Sequence, residues 1–178
     1  MSVSAVRRAV KRLRAPFPYF GSKYERPCKG LDVVRGMRGE DGGCFAAALA
    51  SVRAFCGVLE HPAYSDAWAA FDLPAPPRAG GWTRGLCGGW TCHVEQGRYG
   101  HPAKKATWLY AFGTDLPTLR WGAMPDHQSS ALVSWCGNKT RADEARPRLS
   151  RVDASATPPE FRAVLLAIAR SATAPGGS

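Results

Sequence analysis

The sequence predicts an α/β domain whose strands run mostly parallel, flanked by helices and joined by long loops rich in Gly, Pro and Trp. Three observations predict it. Phe45, Ala48, Leu49, Val52 and Phe55 recur at helical spacing, and a tight turn and the short apolar run "GVLE" follow at once. A second extended run, "ATWLYAFG", is built from Thr and aromatic residues that favour strands. A closing segment, "TPPEFRAVLLAIAR", carries Phe161, Val164, Leu165 and Ile168 on one helical face. The chain has 178 residues and 45% apolar content, enough for one domain with its own core.

In chain order, Val3, Val6, Val10 and Leu13 fall at helical spacing among Arg7, Arg8, Lys11 and Arg12. Residues 1–18 are therefore expected to form a basic amphipathic helix, or an arm that orders on a phosphate backbone, ended by Pro16 and Pro18. A single domain is expected over 19–171. Its first part, 19–43, is rich in Gly and Arg, with "LDVV" as a short strand. The helix over 44–56 has Asp41 or Gly42 as its cap and Gly57 as its stop. The strand over 57–60 ends in Glu60 and His61, and open α/β sheets build their sites at the C-terminal ends of strands.

Residues 72–91 hold Pro74, Pro76, Pro77, Trp82 and Trp90 and read as a functional loop or lid. "TCHVEQ" is a candidate strand, "YGHP" a turn, and 107–112 a strand that Gly113 stops. The strands at 57–60 and 107–112 are expected at the centre of the sheet. A second loop from Pro117 to Arg151 carries Arg120, Lys139, Arg141, Arg146, Arg148 and Arg151. The last helix, 158–170, is expected to use Thr157 as N-cap, Pro158 as first helical residue and Glu160 to close a capping box. The tail, 172–178, reads as disordered.

Composition narrows the function. Lys and Arg number 24 against 14 Asp and Glu, a net charge of +10. That excess favours a polyanionic partner, nucleic acid first, over a basic protein without one. The basic N-terminus lacks the apolar stretch of a secretion signal, and no apolar run reaches membrane-spanning length. The chain is expected in the cytoplasm, with its six cysteines reduced and no membrane partner. Cys87, Cys92 and Cys136 with His93 and His101 lack the paired C-x2-C spacing of a zinc site, so no metal is expected.

Two segments, "GVLEHP" and "YGHPAKKATWLYAFG", resemble motifs of the cytosine-5 DNA methyltransferases. One is the strand ending in Glu-Asn. The other is the YGxPQxRxR turn that leads into an apolar strand. The span from Gly42 to Arg170 resembles more closely a methyltransferase-like group of phages and prophages, which shares "GVLEHP", a Gly-Trp-rich loop, the "VEQ…YGH…KATWLY" stretch and a terminal "TPPEF" helix. The resemblance implies a partial Rossmann-like sheet. It also implies Cys28 of "ERPCKG" as the thiolate that attacks C6 of cytosine, and Glu60 as the acid that holds ring N3. Lys104 and Lys105 fall where the family has arginines near the base and the phosphate. Gln96, Arg98 and His101 flank them, and with Arg7, Arg8, Lys11 and Arg12 these make the expected nucleic-acid contacts. The base must leave the duplex to be reached.

Lys29 stands where the family has Gln, and His61 where it has Asn. The family places a strand, a glycine turn and an acidic residue for S-adenosylmethionine ahead of the Pro-Cys loop. Only 26 residues precede Pro27 here, so the chain alone is expected to bind no cofactor. S-adenosylmethionine belongs to the enzyme reading only. Three readings stand: a methyltransferase-like protein that binds nucleic acid in DNA modification without autonomous methyl transfer, an active cytosine-5 modification enzyme using Cys28 and Glu60, and a phage interaction protein acting on a host nucleic-acid enzyme.

Overall fold

The structure, a computed structural model, describes residues 41–132 and 146–173. The chain divides into two compact units, Met1–Ala46 and Ala47–Ser178. In the first, the described residues open helix α1 (Cys44–Phe55). Asp41 caps it by accepting the N–H groups of Gly43 at 2.8 Å and Phe45 at 2.7 Å. The Phe45 bond most of all holds the Asp41 carboxyl below its usual range. Arg7, Arg8, Lys11, Arg12 and Cys28 lie outside the described residues.

The second unit contains β1 (Gly57–Pro62), α2 (Asp66–Ala70), β2 (Thr83–Arg84), β3 (Trp90–Glu95), β4 (Ala106–Phe112), α3 (Arg151–Ser155) and α4 (Pro159–Arg170), with 3-10 turns at Gln96–Tyr99 and Asp126–Gln128. The strands form one sheet in the order β1-β4-β3-β2, and every pairing is antiparallel. The α/β character stands, but the expected mostly parallel, Rossmann-like sheet does not. The connections explain the difference. Parallel neighbours need a crossover of a dozen residues or more, usually a helix. Here the links from β2 to β3 and from β3 to β4 are hairpins, and α2 is only five residues long. The strands expected at the centre do pair with each other, yet only β4 is central; β1 is an edge of this sheet.

Register assigns each side chain to a face. Val58, Glu60, Thr107, Leu109, Ala111, Cys92 and Val94 share one face; Leu59, His61, Trp108, Tyr110, Thr91, His93 and Glu95 share the other. Helix α4 covers the first face. Phe161 and Ile168 are buried there with Cys92, Val94, Leu109, Ala111 and Tyr99, and Val58, Val164 and Leu165 pack against them. Burying a side chain of this size contributes about 1.5–3 kcal/mol. On the second face Trp68 of α2 packs on Trp108, ring centroids 5.4 Å apart, and Arg53 lies over the Tyr110 ring. The hairpin turn before β3 approaches the same ring: a Cβ on Gly89 would meet it at 2.3 Å.

Helix α4 begins one residue later than its sequence suggests. Pro158 is the N-cap, extended at ψ 144, and no side chain caps the helix. Pro159 causes this, because the residue before a proline is pushed out of the helical region. Thr157 therefore makes no capping box. Glu160 instead forms an ion pair with Arg120.

Candidate functional site

Antiparallel pairing brings the C-terminal ends of β1 and β3 to the same edge as the start of β4. In register, Pro62 lies beside Thr107, and Glu95 beside Ala106. The segments "GVLEHP" and "VEQGRYGHPAKK" thus meet on the α4 face.

Gln96 is the centre of the meeting. It is fully buried. Its Nε2 donates to Glu60 Oε1 at 3.1 Å and to Thr107 Oγ1 at 2.8 Å. Its backbone N–H donates to the Lys105 carbonyl at 3.0 Å, and its carbonyl accepts from the His101 N–H at 3.2 Å. Glu60 is half-buried. With one oxygen held by an amide, its carboxylate has a fixed orientation and a second oxygen available to accept from a donor. The Lys105 ammonium donates to the carbonyls of Ser155 and Ala156, both at 2.9 Å, at the junction of α3 and α4. Burial pushes Lys105 below the usual lysine range, and the charge of Glu60 opposes that shift.

The remaining candidates are engaged elsewhere. Arg98 donates to the Ala123 carbonyl at 3.1 Å. Lys104 is paired with Asp126 on the surface. His101 is buried, with Nδ1 2.8 Å from the Ala103 carbonyl and Nε2 3.3 Å from that of Asp153. The structure therefore joins Glu60, Gln96 and Lys105, ties His101 to Gln96 through the backbone alone, and leaves Arg98 and Lys104 out of that group. Gln96 and His101 were expected among the contacts of a basic rim, and both are buried.

Sequence reasoning missed Thr107, the hydroxyl that shares the Gln96 amide. Its signal was a polar residue at the head of an apolar strand. It also missed the pair His93 and Glu95, whose signal was their two-residue spacing in "CHVE".

Among the described residues no group of three or more His, Cys, Asp or Glu could hold a metal ion. Cys44, Cys56, Cys87 and Cys92 are free, and burial pushes the Cys92 thiol far up. No described segment has the strand, glycine turn and helix of a parallel unit, so no described residue is assigned to S-adenosylmethionine. No described helix is long and apolar enough to cross a membrane. Comparison with protein-family models, curated proteins and solved structures found no match.

Proposed function

We propose that this chain is a nucleic-acid-binding protein, methyltransferase-like in its motifs though not in its sheet, acting in DNA modification without transferring methyl groups on its own. The hydrogen bond from Gln96 to Glu60 is the observation that carries the reading. It ties "GVLEHP" to the "VEQ…YGH…KATWLY" stretch on which the resemblance to the phage group rests, across 36 residues of sequence. A carboxylate held by an amide is suited to accept from the amino group, or the protonated ring nitrogen, of a base. The net charge of +10 supports an anionic partner. An exposed ion pair such as Lys104–Asp126 contributes little to stability, so a phosphate can exchange with Asp126 at small cost.

Binding of a DNA duplex measured over a range of salt concentrations tests the proposal. A steep fall in affinity with salt is expected; an affinity that stays negligible at low salt refutes it. The alternative is an active cytosine-5 enzyme, in which Cys28 attacks C6 and Glu60 holds N3. The second oxygen of Glu60, without a partner among the described residues, favours this alternative. Transfer of a labelled methyl group from S-adenosylmethionine to DNA by the chain alone would establish it.

A further inference from the structure

The face of the sheet opposite α4 plays no part in the reading above, and among the described residues it holds a buried carboxylate oxygen without a partner and a histidine with one nitrogen unused. His61 on β1, Trp108 on β4 and His93 on β3 lie in one row. The Trp108 indole donates to His93 Nδ1 at 3.1 Å. An indole N–H can only donate, so Nδ1 is bare and the hydrogen of the neutral ring sits on Nε2. Burial, then the charge of Arg78, keeps His93 below the usual histidine range. No described residue accepts from Nε2.

Two residues along the same face lies Glu95, only 5% exposed. Its Oε1 is buried and has no hydrogen-bond partner among the described residues. Burial raises its carboxyl despite the Lys105 backbone and the charges of Lys104, Arg78 and His101. A buried acceptor without a donor is costly, and native folds rarely keep one without use.

Two exposed residues complete the arrangement. Tyr64 is left-handed at φ +64, a strained conformation for a bulky residue. It is 55% exposed, with its ring edge-on to Trp108 at 5.2 Å and 6.0 Å from His93. Arg78 follows Pro76 and Pro77 and is exposed; no described residue pairs with its guanidinium. Its charge acts on both His93 and Glu95.

We infer that this face binds a single nucleotide, with the base on Tyr64, its donor–acceptor edge on Glu95 Oε1 and His93 Nε2, and its phosphate on Arg78. An acceptor two residues along one face from a neutral N–H donor supplies both kinds of partner that a nucleobase edge uses. An aromatic ring offers a stacking surface, and an unpaired guanidinium suits a phosphate. The inference rests on the nucleic-acid reading but names different atoms, since Glu60 and Glu95 lie on opposite faces of the sheet.

Calorimetric titration of the full chain with each of the four deoxynucleoside monophosphates tests it, with deoxycytidine and inorganic phosphate as further probes. At least one monophosphate is expected to saturate the protein, more tightly than deoxycytidine or phosphate. Glu95→Gln should weaken it by about tenfold or more, the loss of one charge-assisted hydrogen bond. Arg78→Ala should bring the monophosphate down to the affinity of the nucleoside. Tyr64→Gly guards against a folding artefact, because glycine accepts a positive φ without strain; it should retain the fold and lose about tenfold through stacking. Saturation by none of the four, or Glu95→Gln binding like the unaltered chain, overturns the inference. Binding of a DNA duplex by the same preparation separates the failures. Duplex bound without any monophosphate sinks this site alone; neither bound sinks the nucleic-acid reading as well.

Discussion

Lys104 and Lys105 are neighbours in the sequence and have different attachments in the structure, so separate alanine substitutions should have different effects. The Lys104 ammonium pairs with Asp126, and the two side chains are 44% and 80% exposed. Such a pair is worth about 0–1 kcal/mol, so Lys104→Ala should barely move stability. If Lys104 meets a phosphate, its loss should flatten the dependence of log affinity on log salt by about 0.9. Lys105 makes two bonds of 2.9 Å to carbonyls at the junction of α3 and α4 and is only partly exposed. Charge-assisted bonds are worth about 1.5–3 kcal/mol each when well buried. Solvent screening at this site reduces the sum to about 1–2 kcal/mol. For a chain of this size that lowers Tm by about 2–8 °C. Differential scanning calorimetry and duplex binding across a salt series read the two effects. The reasoning fails if Lys105→Ala keeps its Tm and loses a unit of salt slope, because the ammonium would then face phosphate and not the α3–α4 carbonyls.

Phe161→Ala should cost about 3–5 kcal/mol in urea unfolding, since the ring is fully buried in the contact of α4 with the sheet. Gly89→Ala should cost about 1–3 kcal/mol in the same assay, because its Cβ would meet the Tyr110 ring at 2.3 Å. Calorimetry of the chain with S-adenosylmethionine should register no binding; micromolar affinity would reverse the proposed function in favour of the enzyme. Glu95 should leave a pH signature. Burial raises its folded-state carboxyl against the opposing charges of Lys104, Arg78 and His101, so the folded chain keeps that proton to higher pH than the unfolded chain, which loses it near about 4.3. The stability of the unaltered chain relative to Glu95→Gln should fall as pH rises from there through the folded value, as read from urea midpoints across pH.

The elements with strong local chemistry were legible. Helix α1 carried its apolar spacing and its Asp41 cap, and β4 its Thr and aromatic residues. Strand direction was not legible, for a physical reason. Thr107 to Ala111 are all buried, because both faces of β4 are covered. A strand covered on both faces reads as a continuous apolar run in a parallel or an antiparallel sheet alike, so composition does not reveal its direction. Helix α3 was passed over because five residues carry no periodicity. Its one local mark was Ser150, whose hydroxyl accepts from the Asp153 N–H at 3.1 Å. Two prolines in succession blurred the start of α4, where the second displaced the first from the helix.

The site was harder to read than the fold because it depends on which side of a sheet each residue takes. In the sequence Glu95 and Gln96 stand together at the end of the candidate strand "TCHVEQ", and only Gln96 is read as a contact of the basic rim. The structure buries both and directs them to opposite faces, since Glu95 ends β3 and Gln96 begins the turn that reaches Glu60 and Thr107. Each keeps a buried oxygen, Glu95 Oε1 and Gln96 Oε1, without a partner among the described residues. Two such groups at adjacent positions are a poor arrangement for stability alone, because each gives up its hydration without a donor in return. A use for both faces at this end of the sheet accounts for the pair. Glu60, fixed by Gln96, would serve on the α4 side, and Glu95, with His93, on the opposite side. The two groups meet at Lys105, whose ammonium feels the charge of Glu60 and whose backbone bonds the Glu95 carboxyl, so the effects of substituting Glu60 and Glu95 together on binding should depart from additivity.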